Sequence, residues 1–133
     1  MSPEAQELLG LNQRLLDAID QRDWSTYTTL CDPSLTAFEP EARGNLVSGM
    51  RFHAFYLEGE PEYRSYERKQ SSLSSFAARF LGRDVAIATY VRLVQIRGDF
   101  QEDVLRFEET RVWQRQDGQW RHVHFHRSRP GET

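Results

Sequence analysis

Apolar residues recur at three- and four-residue intervals near the beginning of the chain. The repeat consists of Leu8, Leu11, Leu15 and Ile19, with Leu9 and Leu16 beside it. This spacing predicts an amphipathic helix over residues 3–19 whose apolar stripe faces a core. Ser2 suits the N-cap position of this helix, and Pro3 suits its first position.

Two shorter helices are expected in the next part of the chain. Asp23 can cap one that ends near Cys31, just ahead of a proline, and Ser48 can cap another that runs towards Leu57. Between these helices the pattern predicts a short strand over residues 35–38. A loop containing proline and glycine follows that strand.

The second half of the chain alternates apolar and polar residues with the period of a β-strand. Asp117-Gly118 lies between two runs rich in aromatic and β-branched residues, which predicts a β-hairpin. The expected strands are 71–81, 86–94, 108–113 and 120–128, with turns at 82–84 and 97–99. Residues 62–70 fit either a loop or an exposed strand, and residues 129–133 are expected to fray.

The order of these elements, helices first and then a meander of strands, predicts an α+β fold. A cone-shaped, curved antiparallel sheet is expected to wrap around the N-terminal helix, with the two short helices beside it. A chain of 133 residues is long enough for one hydrophobic core, so residues 1–133 are expected to form a single domain.

Three of the predicted strands each bring one arginine to a mostly apolar face. Side chains alternate between the two faces of a strand. The faces in question hold Ala88, Tyr90, Arg92 and Val94; Leu105, Phe107, Glu109, Arg111 and Trp113; and Val123, Phe125 and Arg127. A buried guanidinium is costly unless it is paired. Either the arginines pair internally, with Glu109 the nearest partner, or they line a pocket that binds a small anion, most simply a carboxylate.

The opposite face of the last strand carries three alternating histidines, His122, His124 and His126. Neighbouring pairs could chelate a metal, but no acidic or cysteine ligand lies at a metal-motif spacing, so no metal site is predicted. This outer face also holds Val112 and Trp120. Because it is too aromatic to remain fully exposed to water, we expect at least a homodimer. Protonation of the histidines would then weaken assembly below about pH 6.5.

Composition and charge narrow the class of protein. The net charge is −3 and no basic block occurs, which argues against nucleic-acid binding. No apolar run approaches the length of a membrane span, and the N-terminus lacks a signal-peptide pattern. Cys31 is the single cysteine and has no disulfide partner within the chain, so a cytoplasmic setting is expected. No cofactor motif is present.

Several segments carry a family resemblance. They are residues 27–33, 36–47 (Thr-Ala-Phe-Glu-Pro-Glu-Ala-Arg-Gly-Asn-Leu-Val), 52–56, 108–113, 117–120 and 123–128 (Val-His-Phe-His-Arg-Ser). Together they resemble the association (hub) domain of calcium/calmodulin-dependent protein kinase II. The resemblance implies the nuclear-transport-factor-2-like fold, also called cystatin-like or SnoaL-like. It also implies self-assembly, because these domains form dimers that stack into rings.

The resemblance also implies a ligand site. The family pocket accepts small carboxylates resembling γ-hydroxybutyrate. Carried over residue by residue, its side chains match Arg92, Arg111, Arg127, His53, Tyr27 and Glu109. The gating tryptophan of the family has no counterpart near residues 59–62.

The expected function is therefore a free-standing, homo-oligomeric hub-like domain whose arginine-lined cavity binds a small anion. The chain contains no glycine-rich phosphate loop and no His-Arg-Asp or Asp-Phe-Gly motif, so kinase activity is not expected. The alternative is an enzyme of the ketosteroid isomerase or polyketide cyclase type that uses the same cavity. Its base would be Glu109 or His53, and its donor Tyr27 or Tyr90. A carboxylate held ionised beside arginines is a weak base, which disfavours this alternative.

Overall fold

The structure is a computed structural model that describes residues 1–58, 66–98 and 102–130. Three helices come first, interrupted by two strands, and four long strands follow. The elements are α1 (Pro3–Gln21), α2 (Trp24–Leu30), β1 (Cys31–Phe38), a 3₁₀ turn (Pro40–Ala42), β2 (Val47–Ser48), α3 (Arg51–Glu58), β3 (Tyr66–Phe80), β4 (Val85–Gly98), β5 (Glu102–Gln116) and β6 (Gln119–Ser128). The α+β prediction is confirmed.

The strands form one six-stranded sheet in the order β2-β1-β6-β5-β4-β3. Neighbouring strands are antiparallel except β1 and β6, which run parallel. Helix α1 packs across β3 and β4, so the apolar stripe of the helix covers one face of the sheet. Buried aliphatic and aromatic side chains of the helices and the sheet form one continuous core.

Local signals account for most of the element boundaries. The Ser2 side chain accepts a hydrogen bond from the Ala5 backbone N–H, and Asp23 caps α2 in the same way through Thr26. Residues 66–70 belong to β3, which settles part of the segment that fitted either a loop or a strand. Residues 59–65, 99–101 and 131–133 lie outside the described residues. They include residues 62–65 of the ambiguous segment, the last residue of the turn expected at 97–99, and most of the tail expected to fray.

Two boundary predictions were wrong. Ser48 does not cap α3; it lies in β2, and the helix begins at Arg51. The first strand is longer than expected, because the backbone is already extended at Cys31, directly after α2. A proline inside that strand is tolerated on the part of it that has no antiparallel partner.

The assignment of faces on β6 was also wrong in part. Val112 pairs with His124 but its neighbour Trp113 pairs with His122, so β6 contains a bulge at Val123. A bulge adds one residue to one strand and reverses the alternation beyond it. Trp120 and His122 therefore point inward and are buried, whereas the sequence prediction placed both on the outer face.

Because the bulge turns Trp120 into the core, truncating this side chain is expected to destabilise the fold. This side chain packs against Phe80 and under the guanidinium of Arg115. Trp120→Ala is therefore expected to lower the free energy of unfolding by about 3–5 kcal/mol, the usual cost of removing a large core aromatic, as measured by urea denaturation. Leu81→Ala, at an exposed position beside Phe80, should change little. A stable Trp120→Ala variant that loses only its ability to associate would contradict the inward orientation.

Candidate functional site

A group of charged side chains lies inside the fold, between the helices and the sheet. Glu109 on β5 is its centre and is 2% exposed. One carboxylate oxygen accepts hydrogen bonds from the Tyr90 hydroxyl at 2.5 Å and from Arg111 Nη2 at 3.0 Å. The other oxygen accepts from Arg92 Nη1 at 3.2 Å. These four residues are called the inner network below.

The sheet register explains why these residues meet. Tyr90 on β4 lies directly opposite Glu109 on β5, and the next inward positions along the two strands are Arg92 and Arg111. Arg92 also donates to Asp20 Oδ1 on α1 at 2.8 Å and to the Ser71 hydroxyl on β3 at 2.8 Å. The inner network thus links three strands to the C-terminal end of α1.

Electrostatics fixes the charge states of the inner network. Burial acts to raise the pKa of Glu109, but the guanidiniums of Arg111 and Arg92 outweigh it and hold that pKa at about 2. Burial likewise acts to lower the pKa of Arg111, and the Glu109 carboxylate reverses this effect, so that the pKa lies above its usual value. Glu109 is therefore a carboxylate and Arg111 a cation at any physiological pH.

The bulge in β6 brings His122 to the inner network. Arg111 Nη1 lies 3.3 Å from His122 Nε2, and an arginine can only donate, so Nε2 accepts. The other ring nitrogen then carries the proton and faces Cys31 Sγ at 3.4 Å. Burial, with Arg111 adding to it, lowers the pKa of His122, and burial raises the pKa of Cys31 to about 12. Cys31 is therefore a thiol at neutral pH, and not a nucleophile.

A second group, called the mouth cluster below, consists of Arg127, Glu39, Glu41 and His53. Arg127 Nη2 lies 2.5 Å from both carboxylate oxygens of Glu41 and 3.5 Å from Glu39 Oε2. The guanidinium of Arg127 covers the ring of Phe107, with 4.8 Å between its central carbon and the ring centroid. His53 Nδ1 on α3 lies 3.8 Å from Glu39 Oε1.

Aromatic side chains surround His53. The ring centroids of Tyr27, Phe52 and Phe125 lie 6.0, 5.8 and 5.6 Å from that of His53. Burial, supported by the guanidiniums of Arg111 and Arg127, lowers the pKa of His53 to about 4. His53 is therefore neutral at pH 7 and can donate or accept a hydrogen bond.

The six residues predicted to form the site all lie on the inner side of the sheet, but in two places. Arg92, Arg111 and Glu109 belong to the inner network, Arg127 and His53 belong to the mouth cluster, and Tyr27 packs behind His53. Internal pairing, one of the two interpretations drawn from the sequence, is observed for each arginine. Arg127 pairs with Glu39 and Glu41 rather than with Glu109. That these residues bind a ligand stays a prediction.

Sequence reasoning missed four participants: Asp20, Glu39, Glu41 and His122. The alternation of side chains along strands says nothing about Asp20 on a helix, Glu39 before the 3₁₀ turn or Glu41 within it. Because of the bulge at Val123, the same alternation assigned His122 to the wrong face. In the sequence, Glu39 and Glu41 were identified only as part of a loop around Pro40, and nothing indicated that they contact Arg127.

Within the described residues, no three His, Cys, Asp or Glu side chains are grouped as metal ligands. No helix of the described part of the chain is long and apolar enough to cross a membrane.

The two buried histidines predict an acid-sensitive stability. The pKa values of His53 and His122 are lowered in the folded state, so the unfolded chain binds more protons below its own histidine pKa. The free energy of unfolding should fall below about pH 6.5, by up to about 1.4 kcal/mol per pH unit for each histidine. Urea denaturation between pH 7 and 5 measures this slope, which His53→Gln should reduce. A profile that stays flat between pH 7 and 5 in the wild type would refute the assignment to these two buried histidines.

A long N-terminal helix and two short helices packed against a curved six-stranded sheet define the nuclear-transport-factor-2-like class of folds. A protein of that class from Cytophaga hutchinsonii superposes with a TM-score of 0.74 at 19% identity, over 97% of this chain and 99% of that one. At this identity the likeness shows the fold alone.

The sequence matches the calcium/calmodulin-dependent protein kinase II association domain over residues 4–131. The chain therefore belongs to that family, and the resemblance noted in the sequence is confirmed. It is 44% identical over 124 residues to the delta subunit of the kinase from Oryctolagus cuniculus; the match covers 92% of this chain and 23% of that protein. The chain thus spans about a quarter of the length of this curated relative.

Solved structures of the family have the same fold as this chain. The hub homology domain from Chlamydomonas reinhardtii superposes with a TM-score of 0.88 at 40% identity, over 95% of this chain and 98% of that one. The association domain of the Caenorhabditis elegans kinase gives a TM-score of 0.84 at 38% identity, over 94% and 95% of the two chains. The long helix, the sheet and the order of the elements are therefore those of the family.

Proposed function

We propose that this domain associates with copies of itself through the outer face of its sheet, and that each subunit binds a small carboxylate at the mouth cluster through Arg127. Membership of a family named for association supports the first part. The position and partners of Arg127 support the second, and they are the observation on which the ligand proposal depends.

The outer face of the sheet is suited to association. Ile87, Val91 and Leu93 on β4 and Val112 on β5 lie on this face and are only partly covered. Ile87 and Val112 are directly paired across the two strands, so their side chains are neighbours on this face. A soluble subunit that leaves such a surface half-exposed usually covers it with a partner, and a second copy of the same chain is the partner that the family implies.

Arg127 differs from the other two arginines in how it is held. Arg92 and Arg111 are 3% and 1% exposed and are bonded to carboxylates from α1 and the sheet. The side chain of Arg127 is 13% exposed, and its carboxylate partners come from the 3₁₀ turn, where the Glu41 side chain is 35% exposed. An incoming carboxylate can replace Glu41 on Arg127 with the same charge-assisted geometry, whereas a displaced Glu109 would be left as an unpaired carboxylate in the interior.

The inner network supports the site without binding the ligand. Arg111 packs over the ring of Phe125 at 4.4 Å, and Phe125 in turn contacts His53. This stack holds His53 in the mouth cluster, where burial keeps its imidazole neutral and able to bond the ligand. Catalysis is not favoured, because a carboxylate such as Glu109, with a pKa of about 2, is a poor proton acceptor.

The melting temperature tests the ligand proposal. A ligand that binds the folded state alone stabilises it by about 2.7 kcal/mol at a concentration 100-fold above Kd. γ-Hydroxybutyrate, the type of carboxylate that the family resemblance implies, should therefore raise the melting temperature of the wild type. Arg127→Gln should abolish the rise.

Arg129→Gln supplies the matched control. Arg129 lies two residues further along the chain, and its guanidinium also lies over the Phe107 ring, 5.5 Å from the centroid. Its replacement removes the same charge and should preserve the ligand-induced rise. A full rise in Arg127→Gln, or an equal loss in both variants, would count against a specific role for Arg127.

A further inference from the structure

The sequence contains a single lysine. Of its 17 lysine and arginine side chains, 16 are arginine, and the exception is Lys69 on β3. A guanidinium stays protonated in a protein, whereas the ammonium of a lysine becomes a nucleophilic amine when it loses its proton. Apart from the amino group of Met1, Lys69 is therefore the one amine of the sequence that can form a covalent bond with a carbonyl compound.

The sheet directs Lys69 into the interior. Side chains two positions apart on a strand point to the same face, and Ser71 on β3 accepts a hydrogen bond from Arg92 inside the fold. Lys69 occupies the inward position before Ser71, and its Nζ lies 3.8 Å from Asp20 Oδ1. Arg92 Nη2 donates to the same oxygen at 2.8 Å. Lys69 and Arg92 thus share one buried carboxylate.

Lys69 lies between that carboxylate and the mouth cluster. The charges that act on its ammonium are those of Arg92 and Asp20 on the inner side, and those of Arg127 and Glu41 in the mouth cluster. The Lys69 side chain is 26% exposed, so water and small molecules have access to it. A molecule whose carboxylate takes the place of Glu41 on Arg127 therefore has Lys69 as a neighbour.

The surroundings of Lys69 favour the neutral amine. Burial of the side chain lowers the pKa of Lys69, and the guanidinium of Arg92 lowers it further; the Asp20 carboxylate only partly offsets these two effects. Desolvation and a neighbouring cation are the means by which proteins activate the lysines that form imines. The unprotonated fraction of Lys69 at neutral pH is thus larger than that of an exposed lysine.

We propose that Lys69 forms an imine with a small oxo acid, a molecule with an aldehyde at one end and, at the other, a carboxylate that Arg127 binds. This inference rests on the function proposed above and names a class of ligand for the same site. It adds a reversible covalent bond to the binding of the anion.

The reaction balances without any other reagent. The lone pair of the amine attacks the aldehyde carbon, a C–N bond forms, and the carbonyl oxygen takes up a proton. The resulting carbinolamine loses that oxygen as water while the C=N double bond forms. Overall, one ammonium and one aldehyde give one iminium and one water molecule, with no oxidant, no reductant and no net change in protons.

The charge pairs of the site survive this reaction. The iminium carries one positive charge, as the ammonium did, so Asp20 keeps its cation. Asp20 Oδ2 is buried and has no hydrogen-bond partner among the described residues, so it can accept a hydrogen bond from the iminium N–H. The carboxylate of the ligand takes the place of Glu41, which can turn towards water because its side chain is 35% exposed.

Reductive trapping tests the inference on the wild type. Sodium cyanoborohydride reduces an iminium to a stable secondary amine at neutral pH, and mass spectrometry with peptide mapping then locates the adduct. The probe is 4-oxobutanoate, which has the chain length of γ-hydroxybutyrate with an aldehyde in place of the alcohol. The exposed Met1 amine reacts in the same sample and serves as the internal reference.

Two comparisons on the wild type give the expected result. Relative to Met1, Lys69 should be labelled more in the folded chain than in the chain unfolded by urea. Butanal has the same length without the carboxylate, and at equal subsaturating concentration it should label Lys69 about tenfold less, because a hydrogen bond to a charged group contributes roughly that factor in affinity.

Variants assign the two ends of the ligand. Lys69→Arg keeps a cation beside Asp20 but has no amine, so it should lose the adduct at this position while γ-hydroxybutyrate still raises its melting temperature. Arg127→Gln keeps Lys69, and its labelling by 4-oxobutanoate should fall to the level given by butanal. Arg129→Gln is the matched control and should be labelled as the wild type is.

The possible failures are distinguishable. Lys69 labelling that is no higher, relative to Met1, in the folded chain than in the unfolded chain would overturn the imine, even if γ-hydroxybutyrate raises the melting temperature. Equal labelling by 4-oxobutanoate and butanal would overturn the choice of oxo acids. If γ-hydroxybutyrate also left the melting temperature unchanged, the function proposed above would fail with it. Both comparisons on the wild type need no variant to fold.

Discussion

Replacing Glu109 with glutamine is expected to lower the free energy of unfolding by about 3–5 kcal/mol, the typical cost of removing one partner from a buried ion pair. The Glu109 carboxylate bonds Arg92, Arg111 and Tyr90, so its loss leaves Arg111 without a carboxylate partner and Arg92 with Asp20 alone, in the buried interior. Such a loss is a large part of the total stability of a small domain. Urea denaturation at one fixed subunit concentration measures it.

The surface pair Arg97–Glu102 provides the control. Its side chains are 61% and 75% exposed and lie 3.5 Å apart. Because exposed pairs are screened by water, Glu102→Gln should leave the stability close to that of the wild type. Similar effects in Glu102→Gln and Glu109→Gln would show that the inner network is not the electrostatic centre of the fold.

Placing a charge on the outer face of the sheet is expected to separate the subunits. Val112→Arg puts a guanidinium between the paired Ile87 on β4 and His124 on β6, on the outer face of the sheet. Burying that charge against a second copy would cost several kcal/mol, so association should fail. Sedimentation velocity should then give the 15.6 kDa subunit, where the wild type gives a multiple of it.

Val112→Ile keeps an aliphatic side chain at the same position and should preserve the mass of the wild type. The circular dichroism spectrum of Val112→Arg should match that of the wild type, because the side chain points away from the core. If Val112→Arg assembled as the wild type does, a different surface would have to carry the association.

That acid dissociates the assembly stays a prediction, but fewer histidines can contribute to it than the sequence indicated. His122 is buried against Arg111 and takes no part in the outer face. His124 and His126 remain on that face beside Phe38, and Thr36 bonds His124 at 2.7 Å. Only these two histidines therefore remain to carry the effect, and burial lowers the pKa of His124, so that residue would act below the ordinary histidine range.

The fold could be predicted from the sequence where local signals and the hydrophobic pattern agree. The Leu8-to-Ile19 stripe, the Ser2 cap and the Asp117-Gly118 turn each specify an element without help from distant residues, and each is observed. The bulge at Val123 could not be predicted, because it inserts one residue without a glycine or proline to mark it. Its position depends on how β6 pairs with β5, which is a tertiary contact.

The candidate site could be predicted in part for the same reason. Strand alternation correctly places Arg92, Arg111 and Glu109 on one inner surface, and the register then makes Tyr90 and Glu109 neighbours. The partners of Arg127 could not be predicted, because residues 39 and 41 reach it only through the three-dimensional path of the 3₁₀ turn.

A crystal structure of the domain grown with γ-hydroxybutyrate at pH 6 is the most direct test of the central claim, that Arg127 exchanges a carboxylate of its own chain for one from a ligand. We expect the ligand carboxylate within hydrogen-bond distance of the Arg127 guanidinium, with Glu41 turned towards solvent and the Glu109 network unchanged. An Arg127 still bonded to Glu41, with the ligand bound elsewhere or not at all, would contradict the claim.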